Sequence, residues 1–420
     1  MEANKQHLIN HLLATNNFTA TNDDVCYVIK HLGIIPTYPI ILVGGTNGKG
    51  STCAYLTTIL TNAGYKVGTF TSPHVFEYNE RIQINNKSIA DEMLNRSLSD
   101  IITASPVNLG LFKTFTLAAH QIFIQQQVDI AVIEVGLGGK HDCTNLFEPT
   151  ISAITNVELD HCEILGYDRE SIAKEKAGIF RANKEALFGS TNIPQAIQDV
   201  AIKINTPLDI YGQQFSARKH DFSWDFLSNT GNLYSLPLPS MRGNEQIANA
   251  SLAIAILQKL RTTFPVSSAQ IKQGLLQTQL IGRFQVMPGI PQIIFDTAHN
   301  PQAIELMCQN MIKLPFAKKN FAIFSIADDK DWQSIITRHA TQFDYWYLAK
   351  INSPRSVDPT KLKTHLMAQG IAPESIQIMD TITDAFNLAY SQLTTDDRVV
   401  CFGSFLVVEE AYQALQRFRK

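Results

Sequence analysis

Pro39-Ile-Ile-Leu-Val-Gly-Gly-Thr-Asn-Gly-Lys-Gly-Ser-Thr52 is the stretch that decides the fold. It reads as a short buried strand, Ile40 to Val43, then a glycine-rich turn, then a helix opening at Ser51. Such a turn aims several backbone N–H groups and the positive end of a helix dipole at one spot, where an anion is stabilised. Lys49 adds a full charge, and the hydroxyl of Ser51 or Thr52 is placed to lie near a magnesium ion. The strict phosphate-loop pattern requires glycine where this chain has Val43, and Ser or Thr where it has Gly50. The alternative is a glycine turn capping an ordinary helix. Four glycines, a lysine and two hydroxyls behind a strand favour a nucleotide phosphate site.

Working outward, the strands and helices alternate. Ser51 to Ala63 reads as a helix, and Tyr65 to Thr71 as a strand ending at Ser72-Pro-His74. Helices follow over about 88–103 and 112–127. Ile130 to Ile133 is an uninterrupted apolar run, as expected of a strand buried on both faces, and Glu134 stands at its carboxyl end. Ile151 to Ile154 is a further strand, followed by Thr155-Asn-Val-Glu-Leu-Asp-His161. This alternation predicts a mostly parallel sheet with its ligand outside the carboxyl ends of the strands. Ser72, Glu134 and His161 all fall at such ends, and an acid beside a phosphate loop suits magnesium.

Upstream, helical periodicity around Leu8–Leu13 and 24–32 has Asp23 or Asp24 as its cap. Downstream, Arg169 to Ala177 reads as a charged helix ended by Gly178, its lysines on a solvated face. Residues 186–215 carry a strand, a helix and a strand, and 221–239 a hairpin. Met241 to Leu260 is a long helix in which Asn249 is either a surface residue or a ligand contact. A second block starts near 286. Its first strand leads into Asp296-Thr-Ala-His299, and further strands are expected at Phe321–Ile326, Tyr345–Leu348 and 399–402. Gly282 to Gly289 reads as the linker. The expected domains are therefore 1–284, a P-loop-type mostly parallel α/β domain, and 285–420, a smaller Rossmann-like α/β domain.

The 420 residues are too many for one core. A formal charge of −3 gives no reason to expect nucleic acid or an anionic membrane as a partner. Six scattered cysteines without a CxxC pair suggest reduced thiols. With neither a signal-peptide core nor a bilayer-length apolar run, the expected setting is cytoplasmic.

Taken together, Gly45-Thr-Asn-Gly-Lys-Gly-Ser51, Thr71-Ser-Pro-His74, Glu80-Arg-Ile82, Glu134-Val-Gly-Leu-Gly-Gly139, Leu159-Asp-His161, Ile172-Ala-Lys-Glu-Lys-Ala-Gly-Ile179, Gly282-Arg-Phe284, Asp296-Thr-Ala-His-Asn-Pro301 and Asp329-Lys-Asp331 resemble, in order, the folylpolyglutamate synthase and dihydrofolate synthase family. That family is a two-domain branch of the Mur-like ATP-dependent ligases. The resemblance implies ATP contacts at Thr46, Asn47, Gly48, Lys49, Gly50, Ser51, Asn249, Arg283 and Asp296. It implies magnesium ligands at Ser72, Glu134 and His161, one or two magnesium ions, and K+. It places a carbamate on Lys176, and His299 where the second domain meets nucleotide and glutamate. Lys49, Lys176, His161, Asp296 and His299 form the implied catalytic set. Phe112, His141, Asp142 and Cys143 match the substrate segment. The implied reaction joins L-glutamate to dihydropteroate or a reduced folate in a monomer.

Three departures bear on substrate: Lys113 where the family often has Glu, Glu245-Gln246 where His-Gln is usual, and Lys140-His-Asp-Cys143 in place of Arg-Leu-Asp-Ala. Two rivals are a Mur-type ligase on a cell-wall precursor and a nucleotide switch without ligase activity. The first is expected to need an N-terminal domain for which the residues before the loop leave no room, and the second has no use for Asp296 and His299.

Overall fold

The computed structural model describes residues 2–14 and 20–418. The chain forms two compact units. One runs to Ser240 and takes in Gln246–Thr278, and the other is made of Met241–Glu245 and the chain from Gln279.

The first unit is built on an eight-stranded sheet. Its strands are β1 (Ile40–Gly44), β2 (Val67–Phe70), β3 (Ile82–Ile84), β4 (Lys87–Ser88), β5 (Ile130–Glu134), β6 (Ile151–Ile154), β7 (Ala186–Phe188) and β8 (Leu208–Ile210). They lie in the order β4-β3-β2-β5-β1-β6-β7-β8. From β2 to β8 the neighbours are parallel, and only the β3 and β4 edge runs antiparallel. Every residue of β1, β2, β5 and β6 is buried, which is why these segments are continuous apolar runs rather than alternating ones. Because β2, β5, β1 and β6 are neighbours, the segments leaving their carboxyl ends gather along one edge.

The helix after β1 spans Lys49–Asn62, so Lys49 and Gly50 lie in its first turn rather than ahead of it. The second N-terminal helix, Asn22–Leu32, is capped by Thr21 rather than by Asp23 or Asp24. Asp24 instead closes a capping box by accepting the Thr21 N–H at 2.7 Å. The expected hairpin gains a strand upstream. β9 (Phe215–Lys219), β10 (Ser223–Ser228) and β11 (Leu233–Pro237) form an antiparallel sheet with β10 central.

The second unit holds a six-stranded sheet of β12 (Gln285–Val286), β13 (Gln292–Phe295), β14 (Asn320–Phe324), β15 (Tyr345–Leu348), β16 (Ile376–Ile378) and β17 (Arg398–Phe402). The order is β12-β13-β17-β14-β15-β16, parallel except for β12. The stretch read as a linker is therefore part of this unit, since Gln285 and Val286 pair with Phe295 and Ile294. Its core packs Phe284, Ile294, Phe324, Trp346 and Phe402 from both ends of the sheet.

None of the six cysteines forms a disulfide. No helix among the described residues is long and apolar enough to cross a membrane.

Candidate active site

The glycine turn is held open by its neighbours. Gly45 has φ 139° and Gly48 φ 86°, backbone that favours glycine. A Cβ on Gly45 would overlap Thr155 Oγ1, and one on Gly48 would overlap Asn249 Oδ1. Asn249 thus lies buried against the loop rather than on the surface. The segment after β6 fastens the same loop. Thr46 N–H donates to Asn156 O at 3.0 Å, Asn47 N–H to Asn156 Oδ1 at 3.0 Å, and Thr155 Oγ1 to Asn47 O at 2.6 Å. Lys49 folds back so that its ammonium donates to Gly45 O and Thr46 O, both at 3.1 Å. Thr52 Oγ1 is buried with no hydrogen-bond partner.

Ser72 and Glu134 meet directly, the Ser72 N–H donating to Glu134 Oε2 at 3.0 Å. Glu134 is 4% exposed and pairs in register with Val43 at the mouth of the loop. The charges of Glu134 and Lys49 both act on the buried Cys53 thiol, which burial pushes well up. His161 opens a short helix, Cys162–Leu165, in left-handed backbone with φ 52°. Its segment is anchored to the loop through Glu158 N–H donating to Thr46 Oγ1 at 3.1 Å. Among the described residues no group of three or more His, Cys, Asp or Glu could hold a metal. The hydroxyl, carboxylate and imidazole of Ser72, Glu134 and His161 are donor types that suit magnesium or manganese.

Lys176 overturns the reading of its helix as a solvated face. Lys174 is exposed, but Lys176 is 4% exposed and donates to Gly45 O at 2.9 Å, the carbonyl that Lys49 also uses. Burial first, then the Lys49 charge, lowers its pKa to about 7, against the pull of Asp160, Glu175 and Asp142. The helix comes this close because a Cβ on Gly139 would meet Glu175 O and Lys176 O at 2.9 Å.

The substrate-segment residues separate by role. The Phe112 ring lies where a Cβ on Gly136 would be, 5.7 Å from the Phe70 ring. Asp142 shapes the turn: its carboxylate accepts Leu137 N–H at 2.9 Å, Thr144 N–H at 2.9 Å and the Thr144 hydroxyl at 2.6 Å. Cys143 is buried, with its thiol on Thr116 Oγ1 at 3.2 Å, and burial raises its pKa. His141 is exposed, its backbone N–H on Glu175 Oε1 at 3.1 Å.

Two residues that sequence reasoning left without a role stand beside Ser72. Arg81 is 7% exposed, and its Nε donates to His74 Nδ1 at 2.9 Å. Burial, then the Arg81 charge, lowers the His74 pKa to about 4, so this imidazole is neutral. An isolated arginine beside a glutamate reads as a surface pair, and the sequence holds no signal that it is buried.

In the second unit, Asp296 follows β13. Its carboxylate accepts Ala298 N–H at 2.8 Å and Phe284 N–H at 3.2 Å. The side chain keeps a strip of exposed surface but lies deep among its neighbours. Desolvation raises its pKa to about 7 despite those bonds and the Arg283 charge. Arg283 donates to Thr297 Oγ1 and lies over the Phe405 ring at 5.3 Å. His299 Nδ1 bonds Thr297 O at 2.8 Å.

Known proteins match this arrangement. Residues 43–287 match the family described as the Mur ligase middle domain, and 282–405 the Mur ligase, glutamate ligase domain. The Escherichia coli (strain K12) dihydrofolate synthase/folylpolyglutamate synthase is 35% identical, over 94% of this chain and 91% of that protein. The chain belongs to the dihydrofolate synthase/folylpolyglutamate synthase family. Among solved structures of the family, Escherichia coli FolC in complex with DHPP and ADP is 33% identical with a TM-score of 0.91, covering 99% of this chain and 98% of that one. The bifunctional folylpolyglutamate synthase/dihydrofolate synthase of Yersinia pestis, complexed with AMPPNP and a Mn ion, is 32% identical with a TM-score of 0.90, covering 98% of each chain.

The departures from the family pattern can be located in the fold. Lys113 donates to Ala20 O at 2.8 Å, beside the Thr21 cap of the second N-terminal helix. Glu245 accepts from Asn310 Nδ2 at 3.2 Å, and its charge helps to raise the Asp296 pKa.

Proposed function

We propose that this protein uses ATP to join L-glutamate to the carboxylate of dihydropteroate, a reduced folate or both. The observation that carries this is one edge of one sheet. There the glycine loop, the Ser72–Glu134 pair and a buried lysine on the Gly45 carbonyl come together.

A substrate carboxylate oxygen attacks the γ-phosphorus of ATP, the bond to the β,γ-bridging oxygen breaks, and ADP leaves an acyl phosphate. The α-amine of glutamate then attacks the acyl carbon and loses a proton, and the tetrahedral intermediate expels phosphate. The loop N–H groups from Thr46 to Ser51 hold the phosphates, Asn249 braces the loop, and Lys49 moves from its carbonyls to the charge that builds on the γ-phosphate. Ser72, Glu134 and His161 would hold a divalent cation, which supplies charge neutralisation at the phosphates. Lys176, with a pKa near 7, offers a neutral amine at working pH. Carbon dioxide adds to such an amine with loss of a proton, turning a buried cation into a carboxylate. Arg283, Asp296 and His299 serve the nucleotide and the incoming glutamate. Phe112 and the turn His141–Cys143 face the pterin substrate. We read the enzyme as a cytoplasmic monomer.

An ADP-release assay tests this with dihydropteroate or tetrahydrofolate, each with and without glutamate, in magnesium. Release that needs both a pterin carboxylate and glutamate is expected. Hydrolysis indifferent to both would leave a nucleotide switch.

A further inference from the structure

Arg81 is the cation in the first unit whose surroundings make least sense without a ligand. It ends the 3₁₀ turn Tyr78–Arg81 just before β3, and its carbonyl accepts the Thr71 N–H at 3.0 Å. This sets it beside the Ser72–Glu134 pair. Its side chain is buried to 7% exposure. The adjacent carboxylate makes no hydrogen bond to it and acts only through its charge. Glu80 is spent on three backbone donors, the N–H groups of Val75, Phe76 and Glu77, at 2.8, 2.9 and 2.8 Å. The only protein acceptor of the guanidinium among the described residues is His74 Nδ1, which takes Nε. The His74 ring in turn lies 4.2 Å from that of Tyr78, which fixes its plane. Phe115 lies under the guanidinium at 5.7 Å. Among the described residues neither Nη group has a protein hydrogen-bond acceptor, and the charges of Tyr78, Glu134 and Glu80 act on Arg81 through space.

A guanidinium in such a setting is costly to bury unless an anion completes it, and its planar fork matches a carboxylate. The wall around it is aromatic: Tyr78 and Phe115 lie 6.1 Å apart, with Phe112 on the same helix as Phe115. On the function proposed above, we infer that Arg81 is the residue that receives the carboxylate of the pterin substrate. One carboxylate oxygen rests on the Nη fork while the other is turned towards the γ-phosphate. His74 holds the guanidinium in place through Nε, and Glu80 shapes the 75–77 turn that carries His74 and Tyr78. The Glu-Arg-Ile motif thereby gains a role: the glutamate builds the turn and the arginine binds the substrate.

The test compares dihydropteroate with its neutral carboxamide, which keeps the ring system and cannot pair with a cation. Binding is measured by calorimetry on the full chain with a non-hydrolysable ATP analogue and magnesium. Wild type is expected to prefer the carboxylate by about 100-fold, the range for a buried charged partner. Arg81→Met should bring that preference to within about threefold of unity while the affinity for the ATP analogue is unchanged, which also reports that the fold is intact. Arg81→Lys, which keeps the charge without the fork, should fall between the two. If Arg81→Met and Arg81→Lys both bind the ATP analogue and still prefer the carboxylate as wild type does, the assignment is wrong. If Arg81→Met does not fold, Arg81→Lys decides alone. Full wild-type preference in it overturns the assignment, and a reduced one supports it. Wild type that binds neither pterin compound defeats the function proposed above, and this assignment with it.

Discussion

Lys176 has a charge that the fold opposes. Its pKa falls from 10.5 to about 7 because burial and the neighbouring Lys49 disfavour the ammonium. Between those two values the unfolded chain binds the proton and the folded one does not, so stability rises with pH across that window. Below pH 7 the lysine is charged in both states, and the folded state bears the full cost of burying it. Replacing it by methionine, similar in length and uncharged, removes this dependence. The urea midpoint of wild type, followed in carbonate-free buffer from pH 6.5 to 9.5, should rise relative to that of Lys176→Met, by up to about 3 kcal/mol in stability. Parallel curves for the two proteins would show that the lysine is not held as described. The same variant should lose ligase activity by about 100-fold or more if the carbamate serves the γ-phosphate. Local pattern could not reveal this residue, because Lys174, Glu175 and Lys176 are consecutive charges on one short helix. Only the distant Gly139 and Gly45 make one of them internal.

The element that sets up the chemistry is the turn between β1 and the helix Lys49–Asn62. Gly48 combines left-handed backbone with a position where a Cβ runs into Asn249. Gly64, at the other end of the same helix, has φ 94° but nothing within 4 Å of an added Cβ. Alanine at either site brings backbone strain of about 1–2 kcal/mol, and at Gly48 it also displaces Asn249 and the loop N–H groups. Gly48→Ala should therefore weaken binding of an ATP analogue at least tenfold, whereas Gly64→Ala lowers the melting temperature and leaves that binding alone. Equal nucleotide affinity in the two variants would separate Asn249 from the phosphate site. Much at this scale was legible beforehand. β1, β2, β5 and β6 are short apolar runs followed by polar turns, and strand ends are where such sheets put their ligands, so Ser72, Glu134 and His161 could be placed at strand ends beforehand. The short β12 and β16 were not legible, since two or three residues carry no periodicity. Gln285 and Val286 become a strand only because Phe295 and Ile294 offer an edge. The cap at Thr21 was missed for a related reason. A capping box places the acid three residues inside the helix, so the carboxylate is the more visible signal and the hydroxyl the actual cap.

Over the whole molecule, the residues proposed for the reaction are divided between two units with separate cores. The phosphate loop, Ser72, Glu134 and Lys176 belong to the first, and Arg283, Asp296 and His299 to the second. Arg283 is the sharpest probe of that division because its setting within its own unit is fully described. It donates to the buried Thr297 Oγ1 and lies over Phe405, while Arg283 itself is only half-buried. Removing it should cost little in folding, since a half-exposed polar bond and a cation–π contact are each worth about 1 kcal/mol. If Arg283 meets the nucleotide phosphates during turnover, Arg283→Ala should lower kcat by about 100-fold, while the urea midpoint moves only slightly and the first unit's own binding groups remain. A kcat equal to wild type, measured by coupled ADP release at saturating ATP, would confine Arg283 to its contacts with Thr297 and Phe405. Catalysis would then have to draw its second-unit charge from elsewhere.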